Sequence, residues 1–212
     1  MIGGKLDRLI TRKFSDTFSK YFHILAYHQP LDRKWLGIPI QKNPYDLMRY
    51  QEIIFKTKPD FIIETGTYQG GSALFFATIF EMIGKGKVIT IDLHSCAMKH
   101  PRIIKLIGPS IDRLIFDSVK EIVGKSKNNM VVLDSDHSSD YVLKEMVVYS
   151  DFVKKGNYMV VEDTDIKGNP VLPESEENPM EAVRRYMEIY HDFEIEPDPI
   201  LTFFPNGWLK RK

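Results

Sequence analysis

A chain of 212 residues, 43% hydrophobic and 12% aromatic, can enclose one apolar core, so a single domain is expected. Its 29 basic and 29 acidic residues cancel, leaving no net field to attract nucleic acid or an anionic membrane; the expected partner is a small or neutral molecule. The single cysteine, Cys96, excludes an internal disulfide framework and a multi-cysteine zinc site, and fits a reducing compartment, taken as the cytoplasm.

At the N-terminus Lys5, Asp7, Arg8, Arg12 and Lys13 interrupt any signal-peptide core, so this segment is expected to remain in the mature protein. Leu6, Leu9, Ile10, Phe14, Phe18 and Phe22 recur at helical spacing and predict a basic amphipathic helix, suited to a lid or to a contact in a homo-oligomer. Residues 28–44 read as loop, in which Trp35 needs an apolar seat or a ligand to stack on. A helix follows from Pro44 to Lys56, with proline at its first position. No stretch reaches the ~18 uninterrupted apolar residues of a membrane span.

Phe61 to Ile63 then reads as a strand, Glu64 to Gly71 as a glycine turn, and Ser72 to Ile83 as a helix ending at Gly84. Further strands are predicted at Val88 to Ile91, Met130 to Leu133 and Tyr158 to Val161, with helices near 112–123, 140–154 and Pro179 to Tyr190. Ile200 to Phe204 reads as a closing strand, and Pro205 to Trp208 as a turn. β-Branched strands alternating with helices predict an α/β fold, a doubly wound, mostly parallel sheet with an N-terminal helical extension. The extension covers residues 1–43 and the main domain residues 44–212. In such sheets ligands bind beyond the carboxyl ends of the strands, so Glu64, Asp92, Asp134, Glu162 and Asp163 should face one crevice.

The turn Glu64-Thr65-Gly66-Thr67-Tyr68-Gln69-Gly70-Gly71-Ser72 allows close backbone approach to a ligand, and the helix N-terminus adds unpaired amides. It matches neither G-x-x-x-x-G-K-[ST] nor G-x-G-x-x-G, which argues against a nucleoside triphosphate and a nicotinamide cofactor. Asp92, ending the next strand, suits a ribose diol.

Two apolar strands run into acidic ends, Asp134-Ser135-Asp136-His137 and Glu162-Asp163-Thr164-Asp165. Neither segment carries a lysine or arginine, so the repulsion calls for a cation or for raised pKa values; a metal is the simpler solution. Candidate ligands are Asp134, Asp136, Glu162 and Asp163, and oxygen donors favour Mg²⁺ or Mn²⁺. Asp136 equally suits a helix cap. His137 is placed either to serve as general base or to orient Asp134.

With these residues in view the chain resembles the cephalosporin hydroxylase family of S-adenosylmethionine-dependent methyltransferases, which includes rhamnosyl O-methyltransferases. The resemblance spans residues 34–212 and rests on Trp35-x-Gly37, Pro44-x-Asp46-Leu47-x-x-Tyr50-Gln51-Glu52, Ile63-Glu64-Thr65-Gly66-x-x-x-Gly70-Gly71-Ser72, Asp134-x-x-His137, Val161-Glu162-Asp163 and Pro205-x-Gly207-Trp208-Leu209-Lys210-Arg211. It implies a class I methyltransferase (Rossmann-like) sheet, S-adenosylmethionine at the glycine turn and Mg²⁺ between the carboxylate segments. By resemblance, Glu64 and Gly66 flank the methionine part of the cofactor, Asp92 holds the ribose and Ser110 lies near the adenine; Pro109 stands where an acidic residue is expected. Either Asp134 or Asp136 can align with the family's first metal aspartate, and Asp134, at the strand end, is preferred.

The expectation is an O-methyltransferase acting on a sugar or natural-product hydroxyl, with His137 and Asp134 as catalytic residues. The alternatives are an NAD-type oxidoreductase or epimerase and a non-catalytic nucleotide-binding subunit on the same sheet. Residues 23–43 and 164–180 are expected to form the acceptor pocket, with 168–178 as a lid.

Overall fold

The computed structural model describes residues 17–26, 32–166, 170–171, 178–197 and 202–212. Helix α1 covers residues 17–26, and residues 6–16 of the expected basic helix lie outside the described set, as does most of the expected lid. A hairpin follows, β1 (Lys34–Trp35) and β2 (Ile38–Pro39), then α2 (Pro44–Thr57), β3 (Phe61–Thr65), α3 (Gly71–Ile83), β4 (Lys87–Asp92), β5 (Ile103–Ile107) and α4 (Arg113–Val123). The second half holds β6 (Asn129–Leu133), α5 (Ser139–Tyr149), a 3₁₀ turn at Ser150–Phe152, β7 (Tyr158–Val161), α6 (Pro179–Ile189), β8 (Phe193–Ile195) and β9 (Trp208–Arg211). Among the described residues no helix is long and apolar enough to cross a membrane.

The seven long-range strands form one sheet in the order β5-β4-β3-β6-β7-β9-β8. Strands β3 to β7 are mutually parallel, whereas β9 runs antiparallel to both β7 and β8. From β3 the chain steps outward through β4 and β5, then returns to build the other half from β6, so the topological switch lies between the carboxyl ends of β3 and β6.

Strand alternation sorts the core into two layers. Ile62, Val88, Met130, Val132, Val160 and Trp208 pack against α2 and α3 on one face. Ile63, Ile89, Ile91, Val131, Leu133 and Leu209 meet α4, α5 and α6 on the other. Helix ends follow from local chemistry: the Asn43 side chain accepts from the Tyr45 amide ahead of Pro44, Asp112 caps α4, and Asn178 caps α6 ahead of Pro179.

The structure departs from the sequence reading in four places. Residues 34–39, read as loop, form a hairpin whose two-residue turn, Leu36-Gly37, has positive φ at both positions (48° and 86°). Trp35 finds its seat there, edge-on to Phe75 with its indole nitrogen donating to Thr78 Oγ1 at 3.1 Å. Strands β5 and β8 were not expected at all. The closing strand is Trp208–Arg211 rather than 200–204; residues 202–204 are not strand, and 200–201 lie outside the described residues. The helix expected over 140–154 ends at Tyr149 and continues as the 3₁₀ turn.

Candidate active site

At the switch point opens a cavity of about 520 Å³, within the range of small-molecule sites. Its walls come from the end of β2 (Pro39 to Lys42), the glycine turn (Gly66, Thr67, Tyr68, Gly71, Ser72), the end of β4 (Ile91 to His94), Gly108 to Ser110, Asp134 to His137, Tyr141 and Asp163. Of the residues the sequence assigned to a cofactor, Gly66, Thr67, Gly71, Ser72, Asp92 and Ser110 line this cavity. Glu64, Thr65, Gln69 and Gly70 do not.

Glu64 is fully buried beneath the turn. Its Oε2 accepts from Thr90 Oγ1 at 2.6 Å, and Thr90 in turn lies 2.6 Å from Thr67 Oγ1. As the Thr90 proton goes to Glu64, Thr67 donates to Thr90, and the turn is tied to β4. Burial pushes the Glu64 carboxyl up to about 7, against the opposing pull of Lys42, Ser72 and Thr90. Gly66 is small for a reason the sequence did not reveal: a Cβ on it would lie 1.8 Å from the Asp134 carbonyl oxygen. The close approach is to the chain itself, which brings the turn and the carboxylate segment side by side.

Asp92 closes the turn from the other side. Its Oδ2 accepts from the amides of Thr67 and Tyr68 at 2.9 and 2.8 Å, and Oδ1 accepts from the His94 amide at 2.9 Å. A carboxylate offers about four lone-pair positions, so these three leave one on Oδ1, enough for a single hydroxyl rather than both of a diol.

Beyond β6 and β7 the acidic residues part company. Asp134 Oδ, Asp163 Oδ and a ring nitrogen of His137 lie within 4.8 Å of one another at the cavity wall. His137 Nε2 is 3.3 Å from Asp163 Oδ2 and 3.8 Å from Asp134 Oδ1. Glu162 instead points into the core, where Oε1 accepts from Tyr50 Oη at 2.6 Å and Oε2 from Lys42. Asp136 closes the turn ahead of α5, its Oδ1 accepting from the amide and the hydroxyl of Ser138 at 2.7 and 2.5 Å. The geometry thus gathers Asp134 and Asp163 with His137 and leaves Glu162 and Asp136 outside that group.

The largest correction is Lys42. Arriving from the β2–α2 connection, its buried ammonium donates to both Asp134 and Glu162. The sequence reading took a metal as the simpler counter-charge and overlooked that a protein cation from outside both segments already shares the site. Burial alone would lower Lys42, but Asp134, Glu162 and Glu64 override it and hold the ammonium well above its usual range. Burial raises Asp163 to about 7, reinforced by the Asp134 charge and opposed by His137 and Lys42. Burial also raises Glu162, whereas Lys42 and His137 outweigh burial at Asp134 and lower it.

One ammonium against three carboxylates still leaves two negative charges when all are ionised. Two hard oxygen donors beside that excess fit a divalent cation of the Mg²⁺ or Mn²⁺ kind, with the His137 imidazole alongside them. The sequence reading also missed Tyr50, Tyr141 and Glu145, which hold site residues from α2 and α5.

Residues 28–212 match the family model described as Rhamnosyl O-methyltransferase/CmcI. The rhamnosyl O-methyltransferase of Mycobacterium tuberculosis (strain ATCC 25618 / H37Rv) is 35% identical over 211 residues, spanning 93% of this chain and 86% of that protein. Its counterpart in Mycobacterium leprae (strain TN) is 35% identical over 189 residues, 84% of this chain and 82% of that protein. Among solved structures, CmcI described with Mg and SAM superposes with a TM-score of 0.64 at 21% identity, covering 85% of this chain and 76% of that one. The MycE methyltransferase in complex with Mg, SAH and mycinamycin VI gives a TM-score of 0.52 at 17% identity, covering 68% and 42%. At these identities the two structures speak for the fold.

Proposed function

The chain belongs to the Rhamnosyl O-methyltransferase/CmcI family, and on that premise we propose that it is an S-adenosylmethionine-dependent, divalent-cation-assisted O-methyltransferase acting on a hydroxyl of a rhamnose-like sugar or a natural product. The observation that carries this reading is that one cavity is lined both by the glycine turn with Asp92 and Ser110 and by Asp134, His137 and Asp163. Donor and acceptor ends share a single space, as direct transfer between two bound reactants requires.

Bound there, S-adenosylmethionine supplies an electrophilic methyl group and a divalent cation lowers the pKa of the acceptor hydroxyl. Asp134 and Asp163 would hold the cation, while Asp92, through its remaining lone pair, would hold a hydroxyl of the cofactor beside the turn. His137, flanked by Asp163 and Asp134, takes the proton of the acceptor hydroxyl. Asp163 adopts φ of 53° directly after the buried Glu162, so successive carboxylates serve the cavity and the core. Lys42 keeps Asp134 and Glu162 together from beneath. The partner is a small molecule or glycan rather than nucleic acid, and the free Cys96 is in keeping with a cytoplasmic setting.

Calorimetry with S-adenosylmethionine, S-adenosylhomocysteine and NAD tests the class, only the first two being expected to bind. Methyl transfer to a rhamnoside should cease in EDTA and return with Mg²⁺ or Mn²⁺. Undiminished transfer in EDTA would remove the cation from the reading. His137→Ala should slow turnover while leaving cation affinity unchanged; loss of cation binding would make His137 a ligand instead.

A further inference from the structure

Helix α5 spends one stripe of its inner face on one loop. Tyr141, Glu145 and Tyr149 follow at intervals of four, so they share a face of the helix, and all three engage Ser110. Tyr149 Oη donates to the Ser110 carbonyl at 2.6 Å, Ser110 Oγ donates to Glu145 Oε1 at 2.5 Å, and Tyr141 Oη lies 3.1 Å from the same Oγ. Glu145 Oε1 also accepts from Ser135 Oγ at 2.7 Å. Glu145 has no solvent exposure, and a carboxyl placed there is costly unless it organises something. Ser110 and Ser135 both line the cavity, whereas Pro109 beside them offers neither an N–H nor a polar side chain.

With Glu145 ionised, the direction of each hydrogen bond follows from its two hydroxyl contacts. A carboxylate oxygen engaged by two hydroxyls accepts from both, so the protons of Ser110 and Ser135 are committed to Glu145. Tyr141 then donates to Ser110, which keeps one lone pair, while Ser135 keeps two. The two serine hydroxyls therefore present lone pairs and no free proton. An exocyclic amine, with two N–H groups, complements such a wall; a ring carbonyl at the same position meets lone pairs and is rejected.

We propose that Glu145 is a positioning residue that locks Ser110 and Ser135 as acceptors for the 6-amino group of the cofactor's adenine, so that this wall discriminates adenine from 6-oxopurines. The inference rests on the reading that the cavity holds S-adenosylmethionine. It assigns recognition to a helix residue that does not itself line the cavity.

Calorimetry with S-adenosylhomocysteine and its deaminated analogue S-inosylhomocysteine tests it, with thermal melting recorded for every variant. The wild type should prefer the adenine compound by roughly 100-fold or more, the range expected when a polar site must turn away the wrong hydrogen-bonding group. Glu145→Leu frees both serine hydroxyls to rotate and donate, and should lower that ratio at least tenfold, whereas Glu145→Gln retains an acceptor oxygen and should keep most of it. Ser110→Ala removes one acceptor and should lower the ratio even if Glu145→Leu does not fold. Equal affinity of the wild type for both compounds would overturn the proposal, as would a Glu145→Leu or Ser110→Ala protein that binds both more weakly at an unchanged ratio. Failure of the wild type to bind S-adenosylhomocysteine at all would instead overturn the cofactor reading beneath it.

Discussion

Replacing Lys42 by methionine keeps a buried stem of similar length and removes the ammonium that Asp134 and Glu162 share. Breaking one side of a buried ion pair leaves uncompensated charge and costs about 3–5 kcal/mol. Urea unfolding of Lys42→Met in EDTA should show that loss, and added Mg²⁺ should recover part of it by supplying the missing positive charge. An unchanged midpoint would mean that Lys42 does not hold the carboxylates. Asp46 gives a pH signature distant from that pair. Its carboxyl is fully buried, with Oδ1 accepting from Thr202 Oγ1 at 2.5 Å and Oδ2 from the Phe203 amide at 2.9 Å. Burial raises it from 3.8 to about 6 in spite of those bonds. The unfolded chain releases this proton first, so the contribution is complete below about pH 4 and is lost as pH rises through about 6, a difference of roughly 3 kcal/mol. The stability advantage of the wild type over Asp46→Asn should shrink by that amount between pH 4 and pH 7; a constant difference would contradict the shift. The sequence made Asp134, Glu162 and Asp163 visible because apolar strands run straight into them. Lys42 was not visible: its partners lie 92 and 120 residues away, and nothing in Ile40-Gln41-Lys42-Asn43 distinguishes it from a surface lysine.

The elements that carry Lys42 are the hairpin β1–β2 and the connection that follows it, clamped onto the start of α3. A Cβ on Gly71 would lie 2.1 Å from the Pro39 carbonyl oxygen, backbone that cannot swing aside. Gly71→Ala should therefore push the hairpin from α3 and cost about 1–3 kcal/mol, with amide exchange rising at residues 38–42 ahead of the sheet. Exchange unchanged in that segment would show that the hairpin is held elsewhere. The sequence reading took this glycine for a ligand contact, and it does line the cavity, but a glycine pattern reports close approach without saying that the hairpin is approached as well. It found α2, α3, α6 and the four buried strands β3, β4, β6 and β7, whose apolar runs or proline starts are unmistakable. It missed the hairpin, whose strands have two residues each, and β8, with three, since so short a run has no measurable period. Strand β5 could have been found: Ile-Ile-Lys-Leu-Ile stands between Pro101 and Gly108.

Across the whole molecule, Trp208 joins the sheet to the α2–α3 layer. It is fully buried, its ring centroid lies 4.8 Å from that of Tyr50, its indole nitrogen donates to Thr202 Oγ1 at 3.1 Å, and the Arg49 guanidinium sits 4.4 Å over its ring. Trp208→Ala should cost about 3–5 kcal/mol in chemical unfolding, and Trp208→Phe distinctly less, retaining the ring contacts while giving up the indole donor. Equal losses would place the indole N–H, rather than packing, at the centre of this contact. The parallel half of the sheet was legible from strand and helix alternation, whereas the antiparallel end was not, because residues 193–211 show no such rhythm and their order in space reverses their order in sequence. That reversal has a consequence in time. Among the described strands β8 pairs only with β9, and β9 fills the place between β7 and β8. A growing polypeptide leaves the ribosome with β8 emerging first and nothing for it to join, while β7 presents an open edge, until residues 208–211 arrive and recruit both neighbours together. The rate at which this one short segment is delivered and threaded into place, rather than the formation of the five parallel strands, should therefore govern how long the nascent sheet remains exposed to association with other chains.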